Sequence, residues 1–226
     1  MTSSALDQFP AKEKAMEAKE ALAKVKAIEN ARRKRTSEGY ALMHQMADRL
    51  LGELESDQSA EAWAIRCRVY YEVHMGAYQR WKDDPAHPPA LLDESLLLAQ
   101  RSAHAGEEGN DSVGRLNAEM NISGNIFPAL GMWRSGLEMS RRVSDEAEAE
   151  AMHAGDDEAA RDRALQVAMN CYVHRIRMHV ANNGDREDVE QLMAACEANR
   201  VFQRFKVQGA EWVERDMGAA RAFVES

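Results

Sequence analysis

The stretch NISGNIFPALGMWRSGL, residues 121–137, decides the fold of this chain. Its small and aromatic residues follow an ordered spacing, with Gly124 followed three positions later by Phe127. Gly131 and Gly136 continue the pattern. We predict two short antiparallel helices, which Gly124 and Gly136 allow to pack closely because neither has a side chain. Phe127 then fills the wedge between the helices, and Gly131 makes the turn.

This spacing resembles the tetratricopeptide repeat, a helix–turn–helix unit that stacks into a solenoid. The resemblance is most specific over residues 113–143 and extends to residues 170–198, where Gly184 would make the second turn. Arg177 stands where the repeat has a small residue. Gly131 and Gly184 are farther apart than the usual period of about 34 residues, which predicts helices longer than in the consensus.

Composition supports a helical chain. Ala, Leu, Met, Glu and Arg dominate, and only five prolines and thirteen glycines interrupt the 226 residues. Together with the resemblance, this predicts an all-α fold of antiparallel hairpins stacked as a right-handed solenoid of about eight to ten helices. The formal net charge of −9 argues against nucleic acid and anionic membranes as partners, because the summed field repels phosphate.

The cysteines and the hydropathy pattern favour a cytoplasmic location. Three distant cysteines do not suggest a disulfide framework. No run of 18 apolar residues predicts a membrane span, and the first residues lack the apolar core of a signal peptide.

We divide the chain into a charged N-terminal tail and helical arm, residues 1–36, and a repeat domain, residues 37–226. Residues 1–9 are the predicted tail, and a helix over residues 10–35 follows. One face of this helix is mostly alanine and buries little area, so we expect it to dock loosely. Its apolar positions are Ala11, Ala15, Ala18, Leu22 and Val25.

Further helices are predicted on both sides of the opening stretch. A loop over residues 83–89 separates the early ones, and Asn110 or Ser112 is expected to cap the helix that leads into the opening stretch. The predicted helices cover residues 37–55, a segment ending near residue 81, 91–105, 132–152, 157–182, a segment after residue 185, and one or two closing helices.

Two side-chain groups could carry chemistry. Cys171, His174 and Met178 share one helix face, but no second cluster completes a metal site, and inward packing is the alternative. Cys67 and His74 lie two turns apart, too far for a nucleophile and its base. We therefore expect no enzymatic activity, no metal and no cofactor.

Two charged runs could meet partners. The acidic run over residues 145–158 could receive a basic protein, and the basic run over residues 32–35 could contact nucleic acid. A solvated helix end is the alternative for each.

The resemblance implies a protein-interaction scaffold, adaptor or chaperone that receives a peptide or partner helix in a concave groove. The positions carried over to that groove are Asn121, Asn125, Ala129, His174, Met178, Arg68 and Tyr71, with Cys171 beside them. Packing of these residues against a neighbouring helix of the same chain is the alternative.

Three further arrangements stay open from the sequence. One is a regulatory sensor that binds a small molecule or short peptide in the groove. Another is a helical subunit of a nucleoprotein complex that uses residues 32–35. The third is a homo-oligomer formed through the N-terminal helix.

Overall fold

A computed structural model describes residues 8–226, with side chains described from residue 18 onward. Most of the predicted tail therefore lies outside the described residues, and residues 8 and 9 already belong to the first helix. The described chain consists of helices and short connections, without a strand in that part, which confirms the all-α class.

The helices follow one another through short loops. Their bounds are α1 Gln8–Arg33, α2 Ser37–Glu53, α3 Ala60–Asp83, α4 Pro89–Glu108, α5 Ser112–Asn121, a π-helix Ile122–Ile126, α6 Phe127–Ala129, α7 Trp133–His153, α8 Glu158–Ala181, α9 Arg186–Ala198, α10 Arg200–Val207 and α11 Glu211–Glu225. Because α5, the π-helix and α6 are continuous, they form one uninterrupted helical segment. No described helix is both long and apolar enough to cross a bilayer.

Short polar side chains begin several of these helices. Thr36, Ser59 and Asp157 each accept a hydrogen bond from a first-turn backbone N–H. For α5, the oxygen of Asp111 accepts from the N–H of Gly114 at 3.0 Å. The expectation of Asn110 or Ser112 as the cap was therefore wrong.

The chain divides into two compact units, Met1–Gly114 and Arg115–Ser226. In the first unit, Val25, Ile28 and Ala31 of α1 join a core that includes Met43 of α2 and Val69 of α3. Ile28 is fully buried. The expected loose docking of this helix is therefore wrong for its C-terminal half.

The second unit contains the predicted hairpin. Gly131 has a φ of +76°, a conformation that favours glycine, and it joins α6 to α7. A Cβ on Gly136 would lie 2.6 Å from the carbonyl oxygen of Ser123 and 3.6 Å from the Cβ of Phe127. Close packing at Gly136, with Phe127 beside it, is thus confirmed.

Two ion pairs show that the hairpin is antiparallel. Arg115 of α5 pairs with Glu146 of α7 at 2.5 Å, and Glu119 pairs with Arg142 at 3.0 Å. The residue number on α7 falls from 146 to 142 as the residue number on α5 rises from 115 to 119, so the two helices run in opposite directions.

Gly124 makes a different contact from the one expected. A Cβ at this position would overlap the imidazole of His174 on α8, which supplies the three nearest atoms. The glycine therefore admits a third helix to the hairpin. Gly124 lies within the π-helix, in which the N–H of Phe127 donates to the oxygen of Ile122, five residues earlier.

Candidate functional site

A groove of about 610 Å³ opens in the first unit between α1, α2 and the start of α3. Its floor is formed by small and aliphatic side chains, which are Ala18, Ala21, Leu50, Leu54, Ala62 and Ile65. Leu50 and Ile65 also belong to the core of the unit, so the floor of the groove is continuous with that core.

The sequence of α1 explains why the groove exists. Ala18 and Ala21 lie on the same face as Val25 and Ile28, at spacings of three and four residues. Where this face carries Val25 and Ile28, it packs into the core. Ala21 still packs against this core, but the alanine side chains are too short to fill the space beside them, and the groove remains open.

Acidic residues surround the floor. Four carboxylates, those of Glu20, Glu53, Asp57 and Glu61, and a single ammonium, that of Lys24, line the groove, which gives a formal charge of −3. Lys24 Nζ lies 2.7 Å from Glu53 and 3.0 Å from Glu20. Its hydrogen bond to Glu53 raises the pKa of Lys24. Asp57 and Glu61 add their charges at the end of the groove formed by the α2–α3 connection.

Arg66 supports that connection. Its guanidinium donates to the backbone oxygen of Leu54 and, at 2.7 Å, to that of Asp57. The same guanidinium lies 4.3 Å from the centre of the Trp63 ring. Ser59 caps α3 by accepting from the N–H of Ala62 at 3.2 Å. These contacts fix the position of the acidic end of the groove.

The structure brings together the predicted partner-binding residues of the second unit, but it packs several of them inside that unit. Asn121 and Met178 are each only 3 % exposed. Asn121 donates to the oxygen of Asn117 at 2.9 Å and accepts from Asn125 at 2.8 Å. Asn125 and Ala129 are half-buried. As partner contacts, these residues stay a prediction.

His174 lies at the centre of this cluster. Its ring contacts Gly124, and its Nδ1 is shielded from solvent without a hydrogen-bond partner among the described residues. Burial lowers the pKa of His174 to about 4, so the imidazole is neutral at pH 7. This neutral, half-buried imidazole acts here as part of the packing.

Arg68 and Tyr71 belong to α3 in the first unit. Arg68 is exposed, and the half-buried ring of Tyr71 meets that of His74 edge-on, with centroids 6.0 Å apart. Neither residue lines the groove described above.

The cysteine and histidine groups are embedded in the core. Cys67 contacts Ser102 at 3.6 Å, whereas His74 bonds the hydroxyl of Ser95 at 2.8 Å, so the two have separate partners. Burial raises the pKa of Cys67 to about 11 and that of Cys171 to about 12, which disfavours the nucleophilic thiolate. Among the described residues, no cluster of three or more His, Cys, Asp or Glu side chains could hold a metal ion.

The basic run over residues 32–35 is largely ion-paired within the first unit. Arg32 pairs with Glu72 at 2.6 Å. Arg33 pairs with Glu29, and Arg35 pairs with Asp83. These carboxylates occupy the guanidinium groups that a phosphate would need.

Sequence reasoning missed the groove, although its signal was present. The alanine face of α1 predicts weak docking, whereas the change from alanine to Val25 and Ile28 marks where larger side chains enter the core.

Comparisons with protein-family models, with curated proteins and with solved structures found no match to this chain.

Proposed function

We propose that the protein is a protein-interaction module, acting as a scaffold, adaptor or chaperone, whose first unit holds a helix of a partner in the groove between α1, α2 and α3. The observation that carries this proposal is the groove itself, with an apolar floor continuous with the core and a charged rim. An amphipathic helix places its apolar side chains on one stripe, which is the shape that such a groove accepts.

A tetratricopeptide-like arrangement of hairpins is part of the proposal. The antiparallel pair formed by α5 and α7, with Gly131 at its turn and Gly136 at its close contact, supports it. The long helices α7 and α8 fit the wide spacing between Gly131 and Gly184.

Capture from an extract of the native cell tests the proposal with two matched baits. Ala18→Trp places a large side chain in the groove, whereas Ala23→Trp makes the same change on an exposed position of α1 outside the groove. We expect a protein that is retained by the wild type and by Ala23→Trp but lost with Ala18→Trp. A synthetic helical segment of that protein should then bind with the same pattern.

Two results would contradict this assignment. Equal retention on all three baits would place the partner elsewhere on the molecule. Loss of retention with Asn125→Ala but not with Ala18→Trp would move the interaction to the second unit, where the sequence-based prediction placed it.

A small-molecule sensor is the second candidate. The volume of the groove lies within the range of about 300–1,000 Å³ that small-molecule sites occupy. A metabolite that raises the melting temperature of the wild type but not that of Ala18→Trp would support this candidate.

A further inference from the structure

We infer that the groove selects a basic amphipathic helix, one whose apolar stripe enters between α1 and α2 while lysine or arginine side chains meet the acidic rim. This inference rests on the proposed function and adds the chemistry of the partner. It is carried by the charges that line the groove and by the shape of its floor.

The floor sets what the apolar stripe must supply. Ala18 and Ala21 leave unfilled space above Leu50 and Ile65, so a partner gains contacts only if it brings larger side chains. Leucine or methionine at positions i, i+3, i+4 and i+7 of a helix would fill the groove along its length.

The rim sets the polar face. Glu20 and Glu53 already share Lys24, and Glu53 also accepts from Arg49 at 3.1 Å. Glu61 remains outside that shared set, in the first turn of α3 at the end of the groove.

The charge of the whole chain acts in the same direction. A net charge of −9 attracts basic segments and repels acidic ones before contact, while the local carboxylates fix where the cations settle. The Lys24 ammonium opposes this attraction, and so does the Arg66 guanidinium, which lies on the backbone oxygens of Leu54 and Asp57. Four carboxylates line the groove against these two cations.

Three synthetic helical peptides test the inference on the full chain. Each is about 18 residues, or five turns, long and has the same leucine stripe, and the polar face is lysine, glutamine or glutamate. Exposed ion pairs each contribute roughly twofold to fivefold to affinity, so we expect the lysine peptide to bind about tenfold more tightly than the glutamine peptide. The glutamate peptide should bind most weakly, and added salt should abolish the preference.

Two pairs of variants locate the effect. Ala18→Trp should abolish binding of the lysine peptide, and Ala23→Trp should not. Glu61→Gln should weaken the lysine peptide by about twofold to fivefold and leave the glutamine peptide unchanged. Glu38→Gln, which also removes a carboxylate from the first turn of a helix but lies outside the groove, should change neither. Circular dichroism confirms folding, and the glutamine variants keep the test valid if Ala18→Trp does not fold.

The outcomes separate the two proposals. Equal binding of the lysine and glutamine peptides, both blocked by Ala18→Trp, would overturn the charge selection and leave the groove as a helix site. A lysine preference that survives Ala18→Trp and Glu61→Gln would mean attraction to the chain as a whole and would overturn the inference. Failure of the wild type to bind any of the three peptides would overturn the helix-binding function as well.

Discussion

Gly124 is the residue at which the packing of the second unit is most sensitive to a single added atom. Alanine normally favours a helix over glycine by about 1 kcal/mol. At this position, however, the Cβ would overlap the His174 ring, and the helices would have to separate. We expect Gly124→Ala to reduce the free energy of unfolding by about 1–3 kcal/mol, measured by urea denaturation.

Gly218 in α11 is the matched control. No described atom lies within 4 Å of the position that its Cβ would take. Gly218→Ala should therefore stabilise the protein by about 0.5–1 kcal/mol. Similar effects of the two substitutions would contradict the close contact at His174.

Arg32 and Glu72 form an ion pair whose side chains are only 10 % and 11 % exposed. Burial raises the pKa of Glu72, although Arg32 opposes the shift. Arg32→Met should lower the free energy of unfolding by about 3–5 kcal/mol, because it leaves a buried carboxylate unpaired. The double variant Arg32→Met with Glu72→Met should recover most of that loss in the same denaturation assay. Additive losses would show that the two groups do not depend on each other.

At the scale of elements, α1 has two parts with different roles. Removal of residues 1–17 leaves Val25, Ile28 and Ala31 in the core, so the protein should still unfold cooperatively. Removal of residues 1–35 takes these side chains away and also leaves Glu72 without Arg32. We expect this second truncation to lose the cooperative melt of the first unit, followed by circular dichroism and hydrogen exchange. Cooperative melting of both truncated proteins would restore the view of α1 as a loosely attached arm.

Element types and most boundaries could be predicted from the sequence, because helical periodicity and glycine at a positive φ are local signals. The turn at Gly131 and the contact at Gly136 are examples. The partner of Gly124 could not be predicted, since periodicity reports which face is apolar and not which helix meets it. The groove was missed for a related reason: an alanine face has the same pattern whether it is packed or open.

At the scale of the whole molecule, each unit contains a histidine that is neutral at pH 7: His74 is fully buried, and His174 is half-buried. Burial lowers the pKa of both His74 and His174 to about 4, whereas an unfolded histidine has a pKa near 6.5. Between these values the unfolded chain binds protons that the folded chain does not, so stability falls as the pH is lowered from about 6.5 to about 4. We expect each histidine to account for a loss of about 1–2 kcal/mol between pH 7 and pH 5, measured by urea denaturation.

Replacement of a single histidine identifies the source of this pH dependence. His74→Gln should lower stability at pH 7 and reduce the difference between pH 7 and pH 5, because one of the histidines with a lowered pKa is gone. An unchanged difference would assign the pH dependence to other groups.

The π-helix over Ile122–Ile126 decides how this part of the chain responds to a change of length. Its turn holds one residue more than an α-turn does. Deletion of one residue here would restore regular α-helical bonding and leave the residues that follow in nearly their present phase, because the wide turn already accommodates the additional residue. The same deletion in the regular part of α5 would rotate everything that follows by about 100°. The turn at Gly131 would then leave the helix on another side, and α7 would start out of phase with the ion pairs that join it to α5.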